Sequence, residues 1–362
     1  MSEKCLVCAQ EELTELLNYT AGKVVSSDNK IVNQKFQLLR CDSCSHIQKK
    51  IDKSLLKTIE NIYHEYSAYY LTDGKEEEKF DASNRSKSIV NNISQMVSNK
   101  GNILDIGTGT GVFLEEFSKV YDWDLYAQDI KISLNNHLDE LKNFKFFFLF
   151  NKNELYSNYF DIVSAIHVFE HIIDLNKFLI EMKTALKKDG ILLLQVPNID
   201  ENIFDVFTID HVSHFTRKSI YQILKRHFAF VSFTKNQIYR EITVIASNKE
   251  IPLDNSEFFN TKDVNKKVFS DLLDGLRFKN KIAIFGASPS ALFCATYLDF
   301  NIECFLDENK NKVGKKLFDK KIIHPLELEP NIEVLVPYSK KLYLQVSDRY
   351  PNLKFIYLKS EL

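Results

Sequence analysis

The stretch Asn102-Ile-Leu-Asp-Ile-Gly-Thr-Gly-Thr-Gly111 (NILDIGTGTG) decides how the middle of the chain folds. Asn102–Ile106 is a short apolar run. It breaks into Gly107, Gly109 and Gly111 before the helical pattern Val112-Phe-Leu-Glu-Glu-Phe117. Glycine lets a backbone turn tightly and approach a ligand, so the pattern predicts a strand, a ligand-facing turn and a helix. Taken alone, the glycines are equally a generic dinucleotide fingerprint. The flanks narrow that reading. Asp105 stands inside the end of the strand, and Trp123–Gln128 reads as a second strand ending at Asp129, 20 residues after Gly109. An acid there can accept both hydroxyls of a ribose.

Downstream, Phe144–Leu149 and Phe160-Asp-Ile-Val-Ser-Ala-Ile166 read as further strands. A helix from about 175 to 187, a turn at Lys188-Asp-Gly190 and a strand at Ile191–Val196 closed by Pro197 follow. This alternation predicts an α/β fold with a parallel, doubly wound sheet. Within it, His167-Val-Phe-Glu-His171 spells H-x-x-E-H, in which two histidines one helical turn apart hold zinc in some peptidases. Here His167 directly follows a β-branched strand, so the required helix is missing. The pentapeptide falls instead at the carboxyl edge of the sheet, where open α/β folds bind ligands.

With 362 residues the chain needs two or three cores. Hydrophobic residues at 44% and charged residues at 27% predict a folded globular protein, and a net charge of −2 recruits neither nucleic acid nor an anionic membrane. Met1-Ser-Glu-Lys-Cys5 has no apolar signal region and Phe144–Phe150 is far too short to span a bilayer, so a cytoplasmic protein without a membrane partner is expected. Cys5-x-x-Cys8 and Cys41-x-x-Cys44 predict a structural zinc ion, because two such turns complete a tetrahedron and leave no open position. A redox pair or unrelated thiols are the alternatives.

These features divide the chain into a zinc-ribbon-like module at 1–72, a central α/β unit at 73–248, a linker and helix at 249–278, and a smaller Rossmann-like unit at 279–362. The aromatic stretch Ile62–Tyr70 either stacks on a ligand or packs between neighbours. Asp73–Lys79 reads as a connection and 80–98 as a helix. The last unit begins Lys281-Ile-Ala-Ile-Phe-Gly286-Ala-Ser-Pro-Ser-Ala291 and continues with Ile302–Asp307. With only Gly286 in its turn, ligand binding and purely structural duty stay open. Cys294 and Cys304 read as small buried hydrophobes.

Ile103–Gly111 resembles motif I of class I S-adenosylmethionine (SAM) dependent methyltransferases, and Phe160-Asp-Ile-Val163, Glu170-His171, Leu186–Gly190 and Val196-Pro-Asn198 follow in that family's order. The resemblance implies SAM held by Asp105, Gly107, Thr108, Gly109 and Gly111, with Asp129 on the ribose hydroxyls and His167 under the cofactor. The layout as a whole resembles the three-domain, zinc-containing nucleotide-sugar C-methyltransferases, a likeness that includes Tyr63-His-Glu-Tyr66. Their counterpart of Thr208-Ile-Asp-His-Val-Ser-His-Phe-Thr216 reads Tyr-x-Glu-His-x-Ser-Tyr-Phe and supplies the groups that make an enolate beside a sugar ketone. Of the acid/base groups only His211 is kept here; Thr208, Asp210 and His214 replace the tyrosine, the glutamate and the second tyrosine.

Three site residues are expected from this segment. His211 is the general base, and Asp210 either fixes a tautomer or holds a hydroxyl donor. His214 is either a second base or part of the cap of a helix starting near Arg217, with Thr216 as N-cap. A His211/Asp210 pair suffices to deprotonate a hydroxyl, so carbon and oxygen methylation both stay open. The expected partner is a small sugar or nucleotide sugar in glycan or natural-product biosynthesis. An RNA base methyltransferase and a non-catalytic SAM- or sugar-binding protein are the competing readings, and the oligomeric state is undetermined.

Overall fold

A computed structural model describes residues 3–64, 75–130, 138–150, 154–234, 238–251, 264–338 and 340–358. Seven strands form the central sheet, in the order Phe230–Phe233, Glu241–Ser247, Leu186–Pro197, Phe160–Ile166, Asn102–Ile106, Asp124–Asp129 and Phe144–Leu149. The last five pair in parallel, and Glu241–Ser247 runs antiparallel to both of its neighbours. The chain therefore winds outward in both directions from Asn102–Ile106, and the carboxyl end of that strand is the switch point where such sheets receive ligands.

Alternation along the strands sorts the core onto two faces. Leu104, Val163, Leu192 and Leu194 pack with Leu175, Leu179 and Ile220 on one side. On the other, Ile103, Ile162 and Leu193 pack with Ile89, Phe113 and Phe117. Helices cover both faces, which is why these strands read as nearly unbroken apolar runs.

Two local expectations change. Lys188-Asp-Gly190 is not a free turn: the strand already begins at Leu186, which pairs with Phe160, and the register shifts between Leu186 and Ile191, so these residues form a bulge. The helix expected at 80–98 spans Lys75–Ile93 and so takes in most of the charged stretch read as a connection. Just beyond its end, Ser94 Oγ donates to the Asn91 carbonyl at 2.8 Å.

The N-terminal residues build an antiparallel sheet of Leu13–Tyr19, Phe36–Cys41 and Ile47–Lys49, completed by Ser213–His214 from the central region. The C-terminal residues build a second, mostly parallel sheet in the order Lys316–Leu317, Lys320–Ile323, Ile302–Leu306, Ile282–Phe285, Glu333–Val336 and Lys354–Tyr357. Its glycine turn repeats the central one. The N–H of Ala287 donates to Asp307 at 3.1 Å, as that of Gly109 does to Asp129 at 2.8 Å. In the C-terminal turn, however, a Cβ on Gly286 would lie 2.0 Å from the Tyr338 hydroxyl, so Tyr338 fills the face that a ligand would approach. Phe207 of the central region stacks on Phe293 of the C-terminal one at 3.8 Å and meets Tyr19 edge-on, so one apolar cluster joins all three regions. Among the described residues no helix is long and apolar enough to cross a membrane.

Candidate functional site

The 106–112 turn is built by glycine. Gly107, Gly109 and Gly111 have φ of 65°, 55° and 77°, which residues with a Cβ rarely adopt. At Gly107 a Cβ would also meet Val168 Cγ2 at 2.4 Å. Gly107→Ala is therefore expected to push the turn and the 167–171 segment apart, lowering the thermal midpoint of the protein; an unchanged midpoint would contradict the close packing. Asp129 ends its strand beside this turn, its Oδ2 accepting from the Gly109 N–H at 2.8 Å and its Oδ1 from the Ile130 N–H at 2.6 Å. Two backbone donors thus fix the carboxylate at the switch point. Asp105 lies beneath, fully buried, bonded to Ser164 Oγ at 2.7 Å, and burial raises its pKa to about 7. Thr108 is buried in the same turn.

Val168 connects this turn to a second cluster. His167, with φ of 55°, closes the 160–166 strand, its Nδ1 lying 3.2 Å from Glu170 Oε1 and its Nε2 3.3 Å from Glu241 Oε2. Phe169–His171 is a single 3₁₀ turn, so the H-x-x-E-H residues do not share an α-helix. Glu170 is buried, with Oε2 unpartnered among the described residues. The His171 ring meets His211 edge-on at 4.6 Å, and donor atoms of Glu170, His171 and His211 converge within 4.8 Å of one another. Tyr63 packs edge-on against His171, while Glu65 and Tyr66 to Tyr70 of the aromatic stretch lie outside the described residues.

The expected pairing of Asp210 with His211 does not occur. Asp210 faces away, accepting from the Ser27 N–H at 2.8 Å and Ser27 Oγ at 2.5 Å, with His171 Nδ1 at 3.5 Å. Asp205 takes the place assigned to it: Oδ1 lies 2.8 Å from His211 Nδ1, and Oδ2 lies 2.8 Å from His214 Nδ1. The reason is chain geometry, since residues 203–207 form a 3₁₀ turn that brings Asp205 under both rings. His214 shares Asp205 with His211. It is buried among Asp205, Lys49 and the strand pairing with Ile47, and burial first, then Lys49, lower its pKa to about 4. Thr216 does cap Arg217–Lys225, through a capping box with Ser219.

Burial alone would lower the pKa of His211, but the charge and hydrogen bond of Asp205 outweigh it and hold the ring at about 9. His167 and His214 go the other way, burial pulling both to about 4. Their linkage signs differ. An unfolded histidine titrates near 6.5, so neutral His167 and His214 contribute stability present above about 6.5 and lost as pH falls toward 4, by about 1.4 kcal/mol per pH unit each. The His211 contribution is complete below about 6.5 and is lost as pH rises through 9. Between pH 7 and 9 that loss runs against the opposite contribution of buried Lys49, whose pKa is lowered to about 7 and which gains stability as pH rises, so it is read as the difference between the wild type and His211→Gln: the wild-type advantage in thermal midpoint is expected to shrink as pH rises from 6.5 to 9. An advantage that grew over that range would contradict the charged Asp205–His211 pair.

Cys5 Sγ lies 3.4 Å from Cys44 Sγ, Cys8 Sγ 3.4 Å from Cys41 Sγ, and all four sulfurs fall within 4.8 Å. Sulfurs around one zinc ion at about 2.3 Å stand roughly 3.8 Å apart, so the donor set fits a closed tetrahedral site. Among the described residues Cys294 and Cys304 are buried free thiols far from this cluster in sequence, as expected.

Residues 80–227 match the family model of a methyltransferase domain. The chain is similar to the CMeT domain of the citrinin polyketide synthase (16% identity, 47% of this chain and 52% of that one, TM-score 0.40). It is also similar to a SAM dependent methyltransferase from Aquifex aeolicus (20%, 48% and 99%, TM-score 0.36) and to the plantazolicin methyltransferase BpumL in complex with SAH (12%, 54% and 99%, TM-score 0.38). The match spans about half the length of the citrinin synthase chain. No curated protein matches the sequence. The central region thus carries a methyltransferase domain.

Proposed function

We propose that this enzyme transfers the methyl group of SAM to a carbon or oxygen of a sugar or nucleotide sugar, with His211 taking the acceptor's proton. The observation that carries the reading is the juxtaposition of two sites. The glycine turn and Asp129 stand at the switch point, and through Val168 they abut the cluster of Glu170, His171 and His211. In this reading Asp105, Gly107, Thr108, Gly109, Gly111, Asp129 and His167 hold SAM, which supplies an electrophilic methyl on a sulfonium. Asp205 accepts from His211 Nδ1 and so leaves the Nε2 lone pair for a proton. As His211 takes that proton, the acceptor's electron pair would bond to the methyl carbon that bound SAM supplies, and the carbon–sulfur bond would break with release of S-adenosylhomocysteine. Glu170 and His171 line the same space and orient the acceptor. Cys5, Cys8, Cys41 and Cys44 hold a structural zinc ion.

The reading is tested by release of S-adenosylhomocysteine from SAM in the presence of keto nucleotide sugars, other nucleotide sugars or bulk RNA. Turnover with a sugar supports it, and the new methyl's position decides between carbon and oxygen. Turnover with RNA alone would overturn it.

A further inference from the structure

We infer that Lys49 and His214 are positioning residues for His211, acting through Asp205, so that the N-terminal module sets the tautomer of the base. This rests on the reading of His211 as proton acceptor. Lys49 ends the Ile47–Lys49 strand and is fully buried among core residues, where a cation is retained only with partners. Its Nζ faces three acceptors: the Thr208 carbonyl at 2.8 Å, the His211 carbonyl at 2.5 Å and His214 Nε2 at 3.2 Å. Burial lowers its pKa to about 7 against the pull of Asp205 and Asp210; in the ammonium form present below that pH it has three N–H donors and no lone pair, so it satisfies all three and obliges His214 Nε2 to accept. His214 must then carry its proton on Nδ1, the atom 2.8 Å from Asp205 Oδ2.

The consequences run in one direction. A donor on each oxygen locks the Asp205 carboxylate, and its Oδ1 can only accept from His211 Nδ1–H. The neutral His211 ring therefore presents a lone pair at Nε2. With the opposite tautomer at His214, a bare Nδ1 would face Oδ2 and the carboxylate would be repelled rather than held. Other contacts of the same module keep the segment in register: Ser213 and His214 pair with Gln48 and Ile47, the Ile209 N–H donates to the Val25 carbonyl at 2.8 Å, and Ser27 holds Asp210.

The test uses zinc-loaded full-length protein labelled with ¹⁵N-histidine, with His211 and His214 resonances assigned by their loss in His211→Gln and His214→Gln. In the wild type His214 should appear as the Nδ1–H tautomer. In Lys49→Met that signature should become a mixture, and kcat should fall at least about tenfold while the acceptor KM, SAM affinity and zinc content hold. An Nε2–H tautomer of His214 in the wild type would overturn the inference without any variant. So would a Lys49→Met protein with wild-type tautomer and kcat. If His211→Ala retained full activity, the base assignment itself would fall; if it were inactive while Lys49→Met matched the wild type, only the present inference would.

Discussion

Alanine at His211 is expected to slow methyl transfer about 10³-fold while SAM affinity stays unchanged, because in the proposed reaction the substitution removes the proton acceptor and leaves the glycine turn intact. Asp205→Asn should slow the reaction by a similar order, since an amide cannot serve as an acceptor for both Nδ1–H donors and releases the tautomer. Asp210→Asn provides the contrast. Asp210 is anchored to Ser27 and does not touch the His211 ring acceptor network, so its loss should lower thermal stability more than kcat. Steady-state rates of S-adenosylhomocysteine release for the three variants check this order. If Asp210→Asn were the slower of the two aspartate variants, the orienting carboxylate would be misassigned.

Removing zinc, or replacing Cys41 by serine, is expected to abolish the folded N-terminal module and methyl transfer together. Structural zinc sites contribute apparent binding free energies of about 10–16 kcal/mol, comparable with or above the whole stability of a domain. The cluster is built into the sheet: Cys41 ends a strand paired with Leu13–Tyr19, and the next strand carries Lys49 and pairs with Ser213–His214. Losing the ion should therefore release the 205–214 segment that carries the base. Metal analysis alongside near-ultraviolet circular dichroism and activity reports all three. Metal-free protein with native signal and turnover would show that the thiols need no ion.

The parts of this architecture visible in the sequence were those written in local pattern. Asn102–Gly111 announced its strand and turn because an apolar run followed by glycines has few other uses, and the paired C-x-x-C turns fall within one cluster of sulfurs. Thr216 before Arg217 was read as a cap and is one. The carboxylate that pairs with His211 was missed because the contact depends on tertiary folding. Asp210 adjoins His211 in sequence, but an adjacent side chain in this extended segment points elsewhere, and a 3₁₀ turn delivers Asp205 instead. A trace of it existed: Asp205 is the lone acid in the apolar run Ile203–Ile209, and a buried carboxylate there needs partners. Lys49 left the same trace at the end of a buried strand. The bulge at 187–190 was hidden because Lys-Asp-Gly is turn chemistry whether the turn stands free or lies within a strand.

The central claim, that methyl transfer waits on a neutral His211 held by Asp205, is tested most directly by the pH dependence of kcat/KM for the acceptor sugar at saturating SAM. Because Asp205 stabilises the protonated ring, the base is largely blocked at neutral pH, and the rate should rise about tenfold per pH unit to a plateau near pH 9. Asp205→Asn should move that limb to lower pH as it lowers the plateau. A profile flat from pH 6 to 10, or a limb that Asp205→Asn leaves in place, would contradict it.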